Sequence, residues 1–434
     1  MNPKNISVAD YTYSLPAEKI ALHGLENRDE SKLLLYEDKN ISEKKFFELP
    51  DLIPSNSLMV FNNTRVIHAR LEFVNANGAR IEIFLLEPII PYEEMTSALS
   101  CKASCQWKCL VGNLKKWKEK EIMLEVGSWK LEGKKIKVTA RLNENIGDTF
   151  LIEFSWQPAD LTFAEVIDAA GKMPLPPYIK RDVEREDENR YQTVYAKEHG
   201  SVAAPTAGLH FTSTILQKLK QKNISLENVV LHVGAGTFKP VKAKTIGEHE
   251  MHSEKISVSR KTIEKILEHI QNKSVVTQQS VTTSVIAVGT TSLRTLESLY
   301  WFGKKLTSGW LPTNHGNARL GRLVTDHTLD FFIGQWEPYE NTNEVSAEES
   351  LNAILVWMQK YNLETLSGET QILIAPGYEF KIVDALITNF HQPNSTLLLL
   401  VAAFIGNDWK KVYNFALQND FRFLSYGDSS LLKR

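Results

Sequence analysis

Residues 69–154 carry an alternation of apolar and polar side chains that suits strands and not helices. In 79–85, Ile81, Ile83 and Leu85 alternate with Arg80 and Glu82, the period of a half-buried strand. Segments 107–111, 122–126, 129–131, 136–142 and 150–154 repeat the texture between glycine or charged turns. No segment of the block shows helical periodicity. The block predicts an all-β, barrel-like unit.

Its surroundings differ. Before it, 13–22 reads as a short helix with Pro16 in its first turn, and 33–36 and 58–61 as buried strands. After it, Thr162 with Glu165 makes a capping box for a helix ending at Gly171. Ser259 caps a helix reaching about residue 272, and Ser395 opens an apolar helix. Segments 284–288, 371–375 and 384–388 read as strands, and 181–190 as a charged, mobile loop. Strands alternating with helices on both sides argue for one α/β body with a mixed sheet, interrupted by an inserted β-barrel-like domain. The body's first part is 1–68, the insertion 69–154, and the remainder 155–434.

At 434 residues the chain has the length of two or three domains. A hydrophobic content of 43% with 24% charged residues is that of a soluble globular protein. The longest apolar run, 397–405, is too short to span a membrane. No signal-like segment follows Met1, so a cytoplasmic protein is expected. Three cysteines form no paired framework. Cys101, Cys105 and Cys109 approximate an iron–sulfur spacing with one residue too many in the second gap, so buried thiols are the simpler reading. A net charge of −2 argues against a general polyanion coat and leaves room for a local basic face. Lys115, Lys116 and Lys118 form one candidate; they either contact phosphates or guard strand edges.

Polar chemistry concentrates between 200 and 241. The run from Gly200 through Thr206, His210 and Phe211 to Thr212 precedes an amphipathic helix, and Leu231-His232-Val233-Gly234-Ala235-Gly236-Thr237-Phe238 follows it. Small residues there permit close backbone approach and leave N–H groups for a ligand oxygen. Asn62-Asn63-Thr64-Arg65 sets a cation after a strand. Prolines at 174, 176 and 177 hold the next segment extended, presenting Tyr178. Gly289-Thr290-Thr291-Ser292, between a strand and the helix carrying Arg294, is a ligand-binding corner of α/β proteins. His249, His252 and Glu254 are ligand-type residues, yet the helical H-E-x-x-H arrangement and a clear third ligand are missing, so no metal is expected.

These motifs form one ordered series: Phe61-Asn62-Asn63-Thr64-Arg65-Val66-Ile67, 174–179, Tyr191-Gln192-Thr193-Val194-Tyr195-Ala196, 200–212, 231–241 and Met251-His252-Ser253-Glu254. It continues with 287–294, Pro376-Gly377-Tyr378, Ile387-Thr388-Asn389-Phe390-His391 and Ser425-Tyr426-Gly427-Asp428. The series closely resembles the S-adenosylmethionine:tRNA ribosyltransferase-isomerases of queuosine biosynthesis, over nearly the whole chain. The resemblance implies an α/β body with an inserted β-barrel. It implies a tRNA substrate with a GUN-type anticodon carrying 7-aminomethyl-7-deazaguanine at the wobble position. The ribosyl moiety of S-adenosylmethionine is transferred and isomerised, giving epoxyqueuosine-tRNA, adenine and methionine. S-adenosylmethionine is consumed as a substrate, no further cofactor is needed, and a monomer is expected.

On that footing His210, His252 and Glu254 divide the acid–base work. Arg65, Tyr178, Thr206, Phe211, Gly234, Gly236, Thr237, Phe238, Thr290, Thr291, Arg294, Asn389, His391, Tyr426 and Asp428 bind substrate, with Thr290, Thr291 and Arg294 on the methionine carboxylate. Departures from the family pattern are His68 for a usual proline, Gly24 and Lys32 for a proline and an arginine, and Ser429-Ser430 near a usual small-residue–methionine pair. The link from 303 to 369 is longer than the family's; a lid, an oligomer contact or an RNA contact are open readings, and a surface excursion is the default. A non-catalytic tRNA- or nucleotide-binding homologue and a metal-dependent hydrolase are the other readings; the first predicts eroded acid–base positions, and here they are intact.

Overall fold

The computed structural model describes residues 3–127, 135–234, 241, 243–276, 283–310, 331–340 and 344–434. The expected strand at 129–131, Gly236, Thr237 and Phe238 lie outside these residues.

Among the described residues ten strands form a mixed sheet. From edge to edge they are Phe331–Ile333, Thr365–Thr370, Glu254–Ser259, Ser225–Leu231, Leu58–Asn62, Val285–Val288, Ala385–Asn389, Ser429–Lys433, Lys32–Glu37 and Asn40–Lys45. The four from Ser225–Leu231 to Ala385–Asn389 run parallel. Parallel strands are covered on both faces, which explains the unbroken apolar runs. Leu58 and Val60 point into one core with the helices Thr290–Thr307 and Ala347–Lys360, while Met59 and Phe61 point into another with Phe211, Ile215 and Leu219.

The second sheet is antiparallel and curled: Gly171–Lys172, Arg70–Val74, Arg80–Ile90, Ser104–Gly112, Thr149–Gln157, Lys135–Ile146 and Glu121–Gly127. Alternate residues Ile81, Ile83 and Leu85 face its core, and Arg70–Val74 comes against Glu121–Gly127 at the far end. The helix Phe163–Ala170 contributes Phe163, Val166 and Ile167 to the same core. One short helix, Met95–Leu99, interrupts a block expected to be wholly β; Glu94 caps it by accepting from the N–H groups of Thr96 and Ser97. All three cysteines are buried and free, and burial pushes the Cys105 and Cys109 thiols up.

Several segments depart from the sequence reading. Residues 13–22 are not a helix beyond the turn Ala17–Lys19, because their backbone bonds go to Phe423. Segment 371–375 is buried but irregular: Tyr339 donates its hydroxyl to the Leu373 carbonyl and accepts the Ala375 N–H, in place of a strand partner. The strand lies just before it, at Thr365–Thr370. The described parts of 303–369 are no surface excursion. They supply two strands of the main sheet and a helix whose Leu351, Ile354, Trp357 and Met358 sit in the main core. The tract 181–190 is pinned, not loose: Arg181 holds Asp187 through two hydrogen bonds of 2.7 Å, and Arg190 donates to the carbonyls of Leu25 and Glu26.

Candidate active site

Open α/β sheets bind ligands beyond the carboxyl ends of their parallel strands. The main cavity lies there. Val285–Val288 runs into Gly289, whose φ of 89° allows the turn into Thr290–Thr307. Ala385–Asn389 runs into Phe390 and His391; Val233 follows Ser225–Leu231. Residues 203–207, Tyr178, Leu424 and Ser425 close the walls, enclosing about 740 Å³ including the open mouth. Thus residues from six separated motifs meet: Tyr178, 203–207, Val233, 289–291, 388–391 and Ser425.

The lining is mostly uncharged. Tyr178 and Ser425 share a 2.6 Å hydroxyl bond. His391 bonds Thr388 Oγ1 at 2.9 Å through Nε2, and burial lowers its pKa to about 3, so it is neutral. Thr291 Oγ1 and Asn389 Oδ1 are buried with no partner among the described residues. An unpaired buried polar atom costs about 1–3 kcal/mol, so such atoms in a cavity wall point to a polar ligand. The start of an 18-residue helix at Thr290 adds outward N–H groups and a favourable field for a carboxylate.

A second cavity of about 330 Å³, again including its mouth, shares Ser425 with the first. His210 lines it, together with Arg28, Arg190, Arg422 and Tyr426. The His210 Nδ1 is 2.8 Å from Ser31 Oγ, and its Nε2 is 3.4 Å from Asn389 Nδ2. The imidazole therefore stands in the wall between the two cavities. Burial first, then Arg422 and Arg28, lower its pKa to about 3 despite a backbone bond that acts oppositely.

The other expected site residues are distributed. Thr206, Thr290, Thr291, Asn389, His391 and Tyr178 line the main cavity. Phe211 is core, packed edge-on against Phe46 and Phe61. Tyr426 donates its hydroxyl to Asp187 at 2.7 Å. Asp428 accepts the backbone N–H groups of Lys32 and Arg422, fastening the 425–428 turn. Glu254, expected in the acid–base work, and Arg294, expected on the substrate, are buried and paired with each other; neither is among the residues lining these two cavities. The guanidinium ties strand to helix through Nη1, with a further bond from Nε to the Ile372 carbonyl, while its Nη2 is buried with no partner among the described residues. His252 is exposed and Gly234 half-buried, and neither reaches a described cavity wall. Arg65 is exposed on Thr64–Val66, beside Glu198–Ser201. Lys115, Lys116 and Lys118 are all exposed at the turn after Ser104–Gly112. Sequence reasoning missed Ser425 as a shared wall and the trio Arg28, Arg190 and Arg422, which are far apart in the chain. Among the described residues, no three His, Cys, Asp or Glu side chains are grouped to hold a metal, and no helix is long and apolar enough to cross a membrane.

Fold and cavity define an open-sheet α/β protein with a ligand crevice at the carboxyl ends of its parallel strands. The chain belongs to a family described as queuosine biosynthesis protein, whose model matches residues 8–325 and 342–432. Similar proteins include the S-adenosylmethionine:tRNA ribosyltransferase-isomerases of Azoarcus sp., 34% identical with 99% of this chain and 98% of that protein covered, and of Dechloromonas aromatica, 36% identical with 99% and 97% covered. The crystal structure of S-adenosylmethionine tRNA ribosyltransferase from Thermotoga maritima is 27% identical, covering 98% of this chain and 99% of that one, with a TM-score of 0.43.

Proposed function

We propose that this protein is an S-adenosylmethionine:tRNA ribosyltransferase-isomerase. It transfers the ribosyl moiety of S-adenosylmethionine to 7-aminomethyl-7-deazaguanine at the wobble position of a tRNA with a GUN-type anticodon. Epoxyqueuosine-tRNA, adenine and methionine are the products. S-adenosylmethionine is spent as a substrate, no other cofactor is used, and the protein acts as a cytoplasmic monomer, with 69–154 as its inserted domain.

What carries the reading is the convergence of six family-like motifs on one cavity. The main cavity takes S-adenosylmethionine. The helix start at Thr290 and the unpaired Thr291 hydroxyl receive its carboxylate. The sulfonium acidifies the adjacent C5′ hydrogens, so a base removes a proton there to give an ylide; adenine leaves as it is protonated, the wobble-base amine bonds to the ribosyl carbon, and the thioether needs no acid when a sugar oxygen displaces it in closing the epoxide. Of the residues assigned to proton transfer, His210 has the best-supported position, between the cavities. His252 and Glu254 rest on the motif alone. His391, neutral in the main cavity, suits hydrogen bonding to the departing base. Exposed Lys115, Lys116 and Lys118 are assigned to tRNA phosphates.

The test is incubation of the purified protein with S-adenosylmethionine and tRNA bearing the deazaguanine amine, followed by mass spectrometry of the digested nucleosides. Epoxyqueuosine with equimolar adenine and methionine is expected. A methylated nucleoside in its place rejects the reading.

A further inference from the structure

The second cavity gathers three guanidiniums and no carboxylate among its lining residues. Arg28 donates to the carbonyls of Gln192, at 2.6 Å, and Asn189. Arg190 donates to Leu25 and Glu26 at 2.6 and 2.8 Å, and Arg422 to His23 at 3.3 Å. Carbonyl acceptors fix the position of a guanidinium without neutralising it. Asp428, 3.7 Å from Arg422, offsets part of that one charge while it accepts two backbone N–H groups, and Asp187 meets the cavity wall through the Tyr426 hydroxyl. The hydrogen bonds of Arg28 and Arg190 among the described residues go to carbonyl acceptors.

The charges feel one another. Arg190 lowers the pKa of Arg28, after burial, and both Arg28 and Arg422 depress that of His210. Holding like charges together around a recess is unfavourable until an anion enters, and forked guanidiniums match a phosphate's oxygens. Amide side chains would clamp the same carbonyls without that repulsion.

We propose that Arg28, Arg190 and Arg422 form an oxyanion subsite for a backbone phosphate of the RNA, next to the nucleotide being modified. The proposal rests on the tRNA-modifying reading above. The subsite shares Ser425 with the main cavity and is separated from it by His210 and Asn389. A phosphate held there sets the neighbouring nucleotide against the S-adenosylmethionine pocket. The methionine carboxylate is the other available oxyanion, but the main cavity already offers it the helix start at Thr290.

Inorganic phosphate is the direct probe, titrated into the full-length protein by calorimetry. It should bind the wild type, compete with tRNA and leave S-adenosylmethionine affinity unchanged. Arg190→Gln should abolish phosphate binding and reduce the slope of log affinity for tRNA against log salt by about 0.7, the value for one single-strand phosphate contact. Arg190→Lys should retain most of that slope. Melting curves identify any variant that fails to fold, and the wild-type competition decides the matter without variants. Phosphate that displaces S-adenosylmethionine instead of tRNA overturns the proposal in favour of a carboxylate site. An unchanged salt slope in a folded Arg190→Gln protein also overturns it. All these readouts are of binding, so a protein that binds phosphate and tRNA as described but forms no epoxyqueuosine refutes the catalytic reading alone.

Discussion

Acidification should weaken this fold through His210, and the loss can be sized. Its imidazole is buried, meets the Ser31 hydroxyl, the Asn389 amide and a backbone group of Arg28, and has a pKa of about 3 in place of 6.5. A histidine with a depressed folded pKa binds fewer protons in the native state than in the unfolded state. Stability is therefore complete above about pH 6.5 and declines as pH falls toward 3. At pH 5 the unfolded chain has gained 1.5 pH units of protonation that the native chain has not, or about 2 kcal/mol. That is a large share of the ~5–15 kcal/mol typical of a domain. His210→Asn keeps an amide near the Ser31 hydroxyl and removes the titration. Urea unfolding of both proteins at pH 7.5, 6 and 5 isolates the effect, since other titrating groups are common to both. The wild type should lose about 2 kcal/mol more than the variant between pH 7.5 and 5. Parallel profiles, or an NMR titration of His210 with a midpoint near 6.5, refute the argument.

Three further outcomes follow from the packing. Glu254→Gln leaves the buried Arg294 charge without its partner and should cost about 3–5 kcal/mol in urea unfolding, a loss largely reversed when Arg294 is also made Met; a cost below about 1 kcal/mol contradicts the buried pair. Replacing Lys115, Lys116 and Lys118 by Ala should leave the melting temperature unchanged, because all three are exposed, while weakening tRNA binding and flattening its salt dependence; an identical salt series returns them to guarding strand edges. Gly303→Ala places a methyl 2.0 Å from the Ser350 carbonyl oxygen and should cost about 1–3 kcal/mol by forcing Thr290–Thr307 from Ala347–Lys360; a neutral result denies that packing.

The caps and the strand periods were readable because each is a local signal. Thr162, Ser259 and Ser395 accept the N–H groups of Glu165, Thr262 and Leu398, as their spacing required. Of the strands expected within 69–154, those at 79–85, 107–111, 122–126, 136–142 and 150–154 appear where alternation placed them, lengthened at their ends. What escaped was non-local. Arg294 reads as an anion ligand, and nothing in its own segment says that it also pairs with Glu254, forty residues earlier in the chain. The strand Glu254–Ser259 itself was hidden within a polar motif. Residues 303–369 looked like an excursion because nothing in their sequence says that Trp357 and Met358 meet the helix before them. The site divides in the same way. Six motifs could be named one by one, but that Tyr178, Thr291 and His391 face one space is a property of the sheet order.

That order also has a consequence for synthesis. Ser429–Lys433 is an interior strand, parallel to Lys32–Glu37 on one side and antiparallel to Ala385–Asn389 on the other. The hairpin of Lys32–Glu37 and Asn40–Lys45 leaves the ribosome early and has no place in the sheet until residues 429–433 follow. At about 5–20 residues per second that interval is roughly 20–80 s. Through it, a strand edge carrying Leu33, Leu34 and Leu35, all buried in the finished protein, stays open to pairing with other nascent chains.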